Sequence, residues 1–165
     1  MQSLGKATAY AGVFGPLVVA ALIVADLVMA GAGWQQLVWL AVWQPLSVML
    51  NLLLKEVFNQ ERPKGAKHIN TLERSIDAGS KGMPSGHAQM IGSEVVFARL
   101  AGTSEWVQAI AVVQSLVTIW QRYAYRKHTI AQLFVGFIVG AVYSYLFWLT
   151  YPKTDSREND DQNYN

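Results

Sequence analysis

Long stretches of this chain carry no charge, and that absence limits what it can fold into. Trp34 to Leu54 contains no Asp, Glu, Lys or Arg, nor does Ile130 to Tyr151, and Gly12 to Ala30 has Asp26 alone. Apolar runs of about 20 residues match the ~30 Å hydrocarbon core of a bilayer, so each predicts a transmembrane helix. Two shorter runs, Ala88 to Ala101 and Trp106 to Trp120, flank Gly102-Thr103-Ser104-Glu105. Gly102 suits a helix C-cap and Ser104 an N-cap, so these runs predict a helical hairpin. Tyr10, Trp34, Trp106, Trp120, Trp148 and Tyr151 stand near the predicted ends, where an interfacial aromatic belt belongs. Only 15% of residues are charged, against about 25% in soluble domains. The expected architecture is an all-α integral membrane helical bundle of about five transmembrane helices. It forms one domain over residues 1–151, followed at 152–165 by an acidic tail read as disordered.

Several functions are excluded at once. The chain has no cysteine, so it has no disulfide framework, thiolate nucleophile or Cys-ligated metal. A net charge of +2 supplies no basic field for nucleic acid. Lys6 before the first apolar run and Val28-Met29-Ala30 at its end are reminiscent of a signal peptide, but Asp26 and the run's length favour a retained helix. Asp26, Glu94 and Arg99 lie at membrane depth and are expected to face the bundle interior or a partner, with Glu94 and Arg99 candidates to pair. Between the second and third helices, Asn59 to Met83 is polar. Its Ile69, Leu72 and Ile76 are spaced for a short amphipathic helix on the membrane surface.

Counting crossings puts four helix ends on one face: those at Lys55, Ser85, Arg122 and His128. That face holds nine of the thirteen Lys and Arg residues and all three histidines. The positive-inside rule alone would scatter basic residues through loops. Lys55, Arg122 and His128 instead sit at helix ends, where charge is costly unless used. Fixed cations suit the negative charge that phosphoryl transfer spreads over the equatorial oxygens, and an arginine fork matches two phosphate oxygens. Met83-Pro84-Ser85-Gly86-His87 adds a hydroxyl, a glycine permitting close approach and free N–H groups at a helix start, which is an anion site. Arg126 and Lys127 read as headgroup contacts and His68 as a loop histidine.

Lys55, six residues, Arg62-Pro63; then Pro84-Ser85-Gly86-His87; then Arg122, five residues, His128: in order and spacing this resembles the three-part signature of the type 2 phosphatidic acid phosphatase superfamily. The resemblance covers Asn51 to Gln132 and leaves the N-terminal helix and the tail outside. Within the superfamily, NLLLKEVFNQERP, KGMPSGHAQ and HTIAQ are similar to the dolichyl diphosphatase branch, where glutamine stands four residues after the second histidine. Gly86 departs from that branch's usual second serine, and Gln121 from the usual serine before the arginine. The resemblance implies His128 as nucleophile, forming a phosphohistidine, and His87 as general acid. Lys55, Arg62, Arg122, the Ser85 hydroxyl and the Gly86 N–H would hold phosphate oxygens. Gln132, one turn after His128, would accept the Nδ1 proton and leave Nε2 free.

The implied activity is metal-independent, cofactor-free hydrolysis of the terminal phosphate of a polyprenyl diphosphate whose tail stays in the bilayer. Alternatives are a phosphatidate, lysophosphatidate or sphingoid phosphate substrate, or a lipid-phosphate binding protein without turnover. The expected partners are an isoprenoid or glycerolipid phosphate and the bilayer, and no nucleic acid. Basic-residue counting puts the active face in the cytoplasm, whereas the dolichyl branch implies a multi-pass protein of the endoplasmic reticulum with a lumenal site.

Overall fold

The structure, a computed structural model, describes residues 2–152; the expected tail, apart from Pro152, lies outside them. The described residues form α1 (Gln2–Met29), α2 (Trp34–Phe58), α3 (Thr71–Asp77), α4 (Gly86–Leu100), α5 (Glu105–Ala124) and α6 (Ile130–Thr150), with no strand. Among the described residues, three helices are long and apolar enough to cross a membrane: Gly5–Met29, Trp34–Phe58 and Ile130–Thr150. These are the three charge-poor runs. The protein is an all-α, membrane-embedded bundle.

The other two expected crossings form the predicted hairpin, α4 and α5, but they are less apolar. At 15 residues α4 is about 22 Å long. It packs against α1, α2, α5 and α6, so its buried Gln89, Ser93 and Glu94 need not face lipid. Gly102 supplies the left-handed turn at φ +67°. Ser104 occupies the N-cap position of α5 without capping it. Its hydroxyl donates to Asp26 Oδ1 at 2.7 Å and its N–H to Oδ2 at 2.8 Å, because a carboxylate is the stronger acceptor. Asp26 of α1 thus clamps the α4–α5 turn. The Glu94–Arg99 pair does not form: Glu94 is buried, Arg99 is exposed, and Glu94 Oε1 has no hydrogen-bond partner.

Small residues set the helix spacing, as they must where no hydrophobic effect drives helices together. A Cβ at Gly92 would strike the Phe137 carbonyl, and one at Gly140 the Gln89 carbonyl, so α4 and α6 touch backbone to backbone. Ser93 and Ser144 hydrogen-bond across this seam at 2.8 Å, and Trp43 Nε1 donates to Ser144 Oγ at 3.2 Å, tying in α2. On α1, Gly12 and Gly15 admit Gln121 and Gln114 of α5, and Gln114 donates to the Ala11 carbonyl at 2.7 Å. The apolar core of Val19, Ile23, Leu40, Trp43, Phe97 and Phe147 occupies the half of the bundle away from Lys55, Arg122 and His128. Trp43 and Phe97 stack there at 4.3 Å. Leu53, Val113, Leu116, Phe134 and Leu149 are exposed on the outside, the apolar surface that a bilayer covers.

The short helix expected after α2 exists as α3. Asn70 Oδ1 accepts the Glu73 N–H at 2.8 Å and Glu73 Oε2 accepts the Ile69 N–H at 2.8 Å, a reciprocal cap. Leu72 is exposed, and Ile76's side chain lies outside the described ones. Among its described side chains, α3 buries Glu73 and, in part, Asp77, drawn in by the cations beneath.

Candidate active site

The three sequence segments meet at one end of the bundle, as the crossing count predicts. Arg62 Nη1 lies 3.4 Å from His128 Nε2, Arg122 Nη2 lies 2.8 Å from His87 Nε2, and Lys55 Nζ donates to the Lys81 carbonyl at 2.5 Å.

His128 stands just before α6, in the five-residue link from α5. Its Nδ1 lies 2.9 Å from the Gly82 carbonyl oxygen. A carbonyl only accepts, so Nδ1 carries the proton and Nε2 presents a lone pair toward Arg62. Burial, followed by the charges of Arg62, Lys55 and Arg122, pushes the imidazole down to about 3, keeping it neutral at physiological pH.

Gln132 does not perform the task the resemblance implied. Its Oε1 accepts the Thr129 N–H at 3.1 Å, within the capping box of α6. Its Nε2 donates to Gln60 Oε1 at 2.8 Å and to the Glu61 carbonyl at 2.9 Å, and its carbonyl accepts the Ser85 N–H at 3.1 Å. At the first residues of a helix the backbone N–H groups are unsatisfied, and Gln132 serves them before it can reach His128. It binds α6 to the segment carrying Arg62, while a backbone carbonyl orients the imidazole.

His87 sits in the first turn of α4. Besides Arg122 Nη2, its Nε2 has the Val13 carbonyl at 3.1 Å. Without a proton, that nitrogen accepts from the arginine; with one, it donates to the carbonyl. Helix α1, outside the sequence signature, therefore contributes to this histidine's surroundings.

Ser85 is fully buried, and its Oγ accepts the Ala88 N–H at 3.4 Å as the N-cap of α4. Gly86 opens the helix under Asn51, whose Oδ1 would lie 3.1 Å from a Cβ there. Neither residue's contact with phosphate follows from these bonds.

An ion cluster that the sequence reading missed backs the two arginines. Glu73 Oε1 accepts from Arg122 Nη1 at 2.7 Å, and Asp77 Oδ1 pairs with Arg62 Nη2 at 3.0 Å. Lys127 bridges both acids, with Nζ 2.8 Å from Asp77 Oδ2 and 3.3 Å from Glu73 Oε2. His68 Nδ1 is also 3.1 Å from that ammonium. Lys127 is 0% exposed, so it is no headgroup contact, and His68 is a partner in the cluster. Arg126 is exposed. Burial alone would raise both carboxyls. The Ile69 N–H, Arg122 and Lys127 hold Glu73 below the usual carboxylate range, and Lys127 and Arg62 do the same for Asp77. The overlooked signal was Glu73 and Asp77, four apart on one helical face, inside a loop otherwise rich in cations. Among the described residues no group of three or more His, Asp or Glu side chains could hold a metal ion.

Two cavities adjoin the site. One of about 680 Å³ is lined by His128, Arg126, Lys64 and Tyr123. The other, about 470 Å³, is an apolar groove between α5 and α6 lined by Leu116, Ile119, Leu133, Phe134 and Phe137. Tyr123 and Ile130 border both. The groove persists because α6 packs mainly on α4, not on its chain neighbour.

A sequence model of the PAP2 superfamily matches residues 33–156, a span containing every site residue except Val13. The chain is 33% identical over 123 residues to lipid phosphate phosphatase epsilon 2, chloroplastic, of Arabidopsis thaliana, covering 68% of this chain and 39% of that protein. It is 32% identical over 128 residues to lipid phosphate phosphatase epsilon 1, chloroplastic, of the same plant, covering 73% and 42%. The chain thus spans about two fifths of the length of these curated relatives. Among solved structures it resembles the first transmembrane PAP2 type phosphatidylglycerolphosphate phosphatase from Bacillus subtilis. The TM-score is 0.60 at 20% identity, over 95% of this chain and 89% of that one, which is a likeness of fold.

Proposed function

Because this chain belongs to the PAP2 superfamily, the type 2 phosphatidic acid phosphatases whose signature its sequence resembles, we propose that it is a membrane phosphatase removing the terminal phosphate of a lipid. The observation carrying this reading is the paired histidine–arginine geometry: His128 Nε2 beside Arg62 and His87 Nε2 beside Arg122. With Nδ1 held by Gly82, the Nε2 lone pair of His128 attacks phosphorus and the bond to the leaving oxygen breaks. His87 gives that oxygen its proton. The developing charge on the equatorial oxygens is met by Arg62, Arg122 and Lys55, assisted by the Ser85 hydroxyl and the Gly86 N–H. A water molecule then attacks the phosphohistidine and gives a proton to His87, and phosphate leaves with Nε2 restored. In this reading protein side chains supply nucleophile, acid and charge, so the reaction runs without metal or cofactor. Gln132 fixes the start of α6 and leaves tautomer selection to Gly82.

The α5–α6 groove supports an amphiphilic substrate. It meets the histidine cavity at Tyr123 and Ile130, so a headgroup at His128 lets its tail run along apolar side chains into the bilayer. From Ser115 to Tyr123 the groove extends about 12 Å by helix rise, enough for the tail next to the head. The dolichyl-type motifs favour a polyprenyl diphosphate. The relatives' description as lipid phosphate phosphatases favours a second reading, a glycerolipid or sphingoid monophosphate. Both relatives are chloroplastic and lend no support to the endoplasmic reticulum that the dolichyl branch implies.

The test is phosphate release by detergent-purified protein, in EDTA, from dolichyl diphosphate, phosphatidate and sphingosine phosphate, beside His128→Ala. Release by the wild type alone is expected. No release from any of them by folded protein would leave a binding protein, and EDTA-sensitive release would contradict the metal-free step.

A further inference from the structure

Each site arginine has two ends doing different things. Arg62 directs Nη1 to His128 Nε2, while its Nη2 is held by Asp77 at 3.0 Å and by the Ser80 hydroxyl at 2.7 Å. Arg122 directs Nη2 to His87 Nε2, while its Nη1 is held by Glu73 at 2.7 Å. The held ends face α3, and the other ends face the two imidazoles. A free guanidinium on a flexible stem would lose side-chain entropy each time it met phosphate, whereas one gripped through its outer nitrogen has already lost it.

We propose that Glu73, Asp77 and Lys127 are positioning residues, which grip Arg62 and Arg122 from behind so that one N–H of each is aimed at the phosphate seat between His87 and His128. The proposal rests on the reading of that seat as a phosphate site. Lys127 ties the grip together. Two carboxylates against two guanidinium groups already balance, and the wholly buried ammonium bonded to both acids leaves the cluster with one net positive charge, which favours an anion in the seat. It also links the acids, so the two arginines are held as one unit whose spacing α3 sets. The same acids would oppose catalysis if they instead occupied the seat of the phosphate oxygens. The two arrangements differ in sign: a grip predicts weaker anion binding when a carboxylate is removed, and an occupied seat predicts tighter binding.

Orthovanadate, whose five-coordinate form resembles the transition state, reports on the seat without turnover. Its affinity is measured on the full chain in detergent, together with kcat and KM for lysophosphatidate and dolichyl diphosphate. In Asp77→Asn and Glu73→Gln the grip predicts vanadate binding weakened about tenfold and kcat lowered about a hundredfold, the scale of a 1 Å misplacement. KM should change little, because the tail contacts are untouched. Lys127→Met is expected to follow and Lys127→Arg to recover most of the loss. Should Lys127→Met not fold, Ser80→Ala, which removes the hydroxyl that accepts from Arg62 Nη2 and Nε, is expected to lower kcat several-fold in the same direction. Tighter vanadate binding or a raised kcat overturns the proposal, as does a kcat per folded molecule unchanged in both carboxylate variants. Wild type that binds vanadate but releases phosphate from no lipid sinks the phosphatase reading and leaves the grip to be judged on vanadate affinity. Wild type that binds no vanadate overturns both.

Discussion

His128 Nδ1 meets the carbonyl oxygen of Gly82 at 2.9 Å, and that contact sets which imidazole nitrogen is free for chemistry. Gly82 is also a tight joint. A Cβ there would lie 2.6 Å from Gln132 Nε2 and 2.9 Å from the Glu61 carbonyl. Gly82→Ala is therefore expected to shift the loop and turn its carbonyl from His128, lowering kcat about a hundredfold while the helical circular dichroism is unchanged. Activity within a factor of two of wild type would show that the carbonyl does not orient the ring.

Gln132→Glu tests the other half of this arrangement. The substitution keeps shape but replaces an amide donor by an oxygen facing Gln60 Oε1 and the Glu61 carbonyl. Acceptors opposed in a buried site cost about 1–3 kcal/mol, read as a lower Tm. Were Gln132 instead the acceptor of the His128 proton, a carboxylate would serve it better and kcat would rise.

The pH dependence of stability follows from His128. Its folded value is pushed to about 3 from the ordinary ~6.5, so the unfolded chain binds the extra proton between those limits. Its contribution is present above about 6.5 and is lost as pH falls toward 3, with a slope of at most about 1.4 kcal/mol per pH unit. Asp77 and Glu73, held below the usual range, lose theirs in the same direction from about pH 4 downward. Denaturant unfolding at pH 7 and pH 4 should show His128→Asn losing less stability than wild type. Equal losses would contradict the buried, neutral imidazole.

Narrowing the α5–α6 groove should separate tail from head. Ile119 lines the groove without bordering the histidine cavity. Ile119→Trp is expected to raise KM several-fold for a long-chain lipid phosphate and to leave a water-soluble phosphate ester unaffected. Equal effects on both substrates would place the tail elsewhere.

Much of the bundle and the gathering of histidines and cations at one end was legible in the sequence. That Lys55, Arg62, His87, Arg122 and His128 come together could be read because helix ends gather them on one face. Gly82 could not, since a backbone carbonyl has no letter of its own. Glu73 and Asp77 did not stand out within the polar stretch, because their burial depends on cations distant in the chain, and Lys127 looked like a lipid contact for the same reason. Helix α1 lay outside the motifs, yet Gly12 and Gly15 already carried the small-residue signal of a close helix contact, and that contact brings Val13 to His87.

Acid-labile, alkali-stable phosphate on the protein, trapped by quenching during turnover of a labelled lipid phosphate and located by peptide mass spectrometry, bears on the account most directly. It should sit on His128, and none should form in His128→Ala. Label on another residue, or turnover by the wild type at full rate with His128 never phosphorylated, would contradict it.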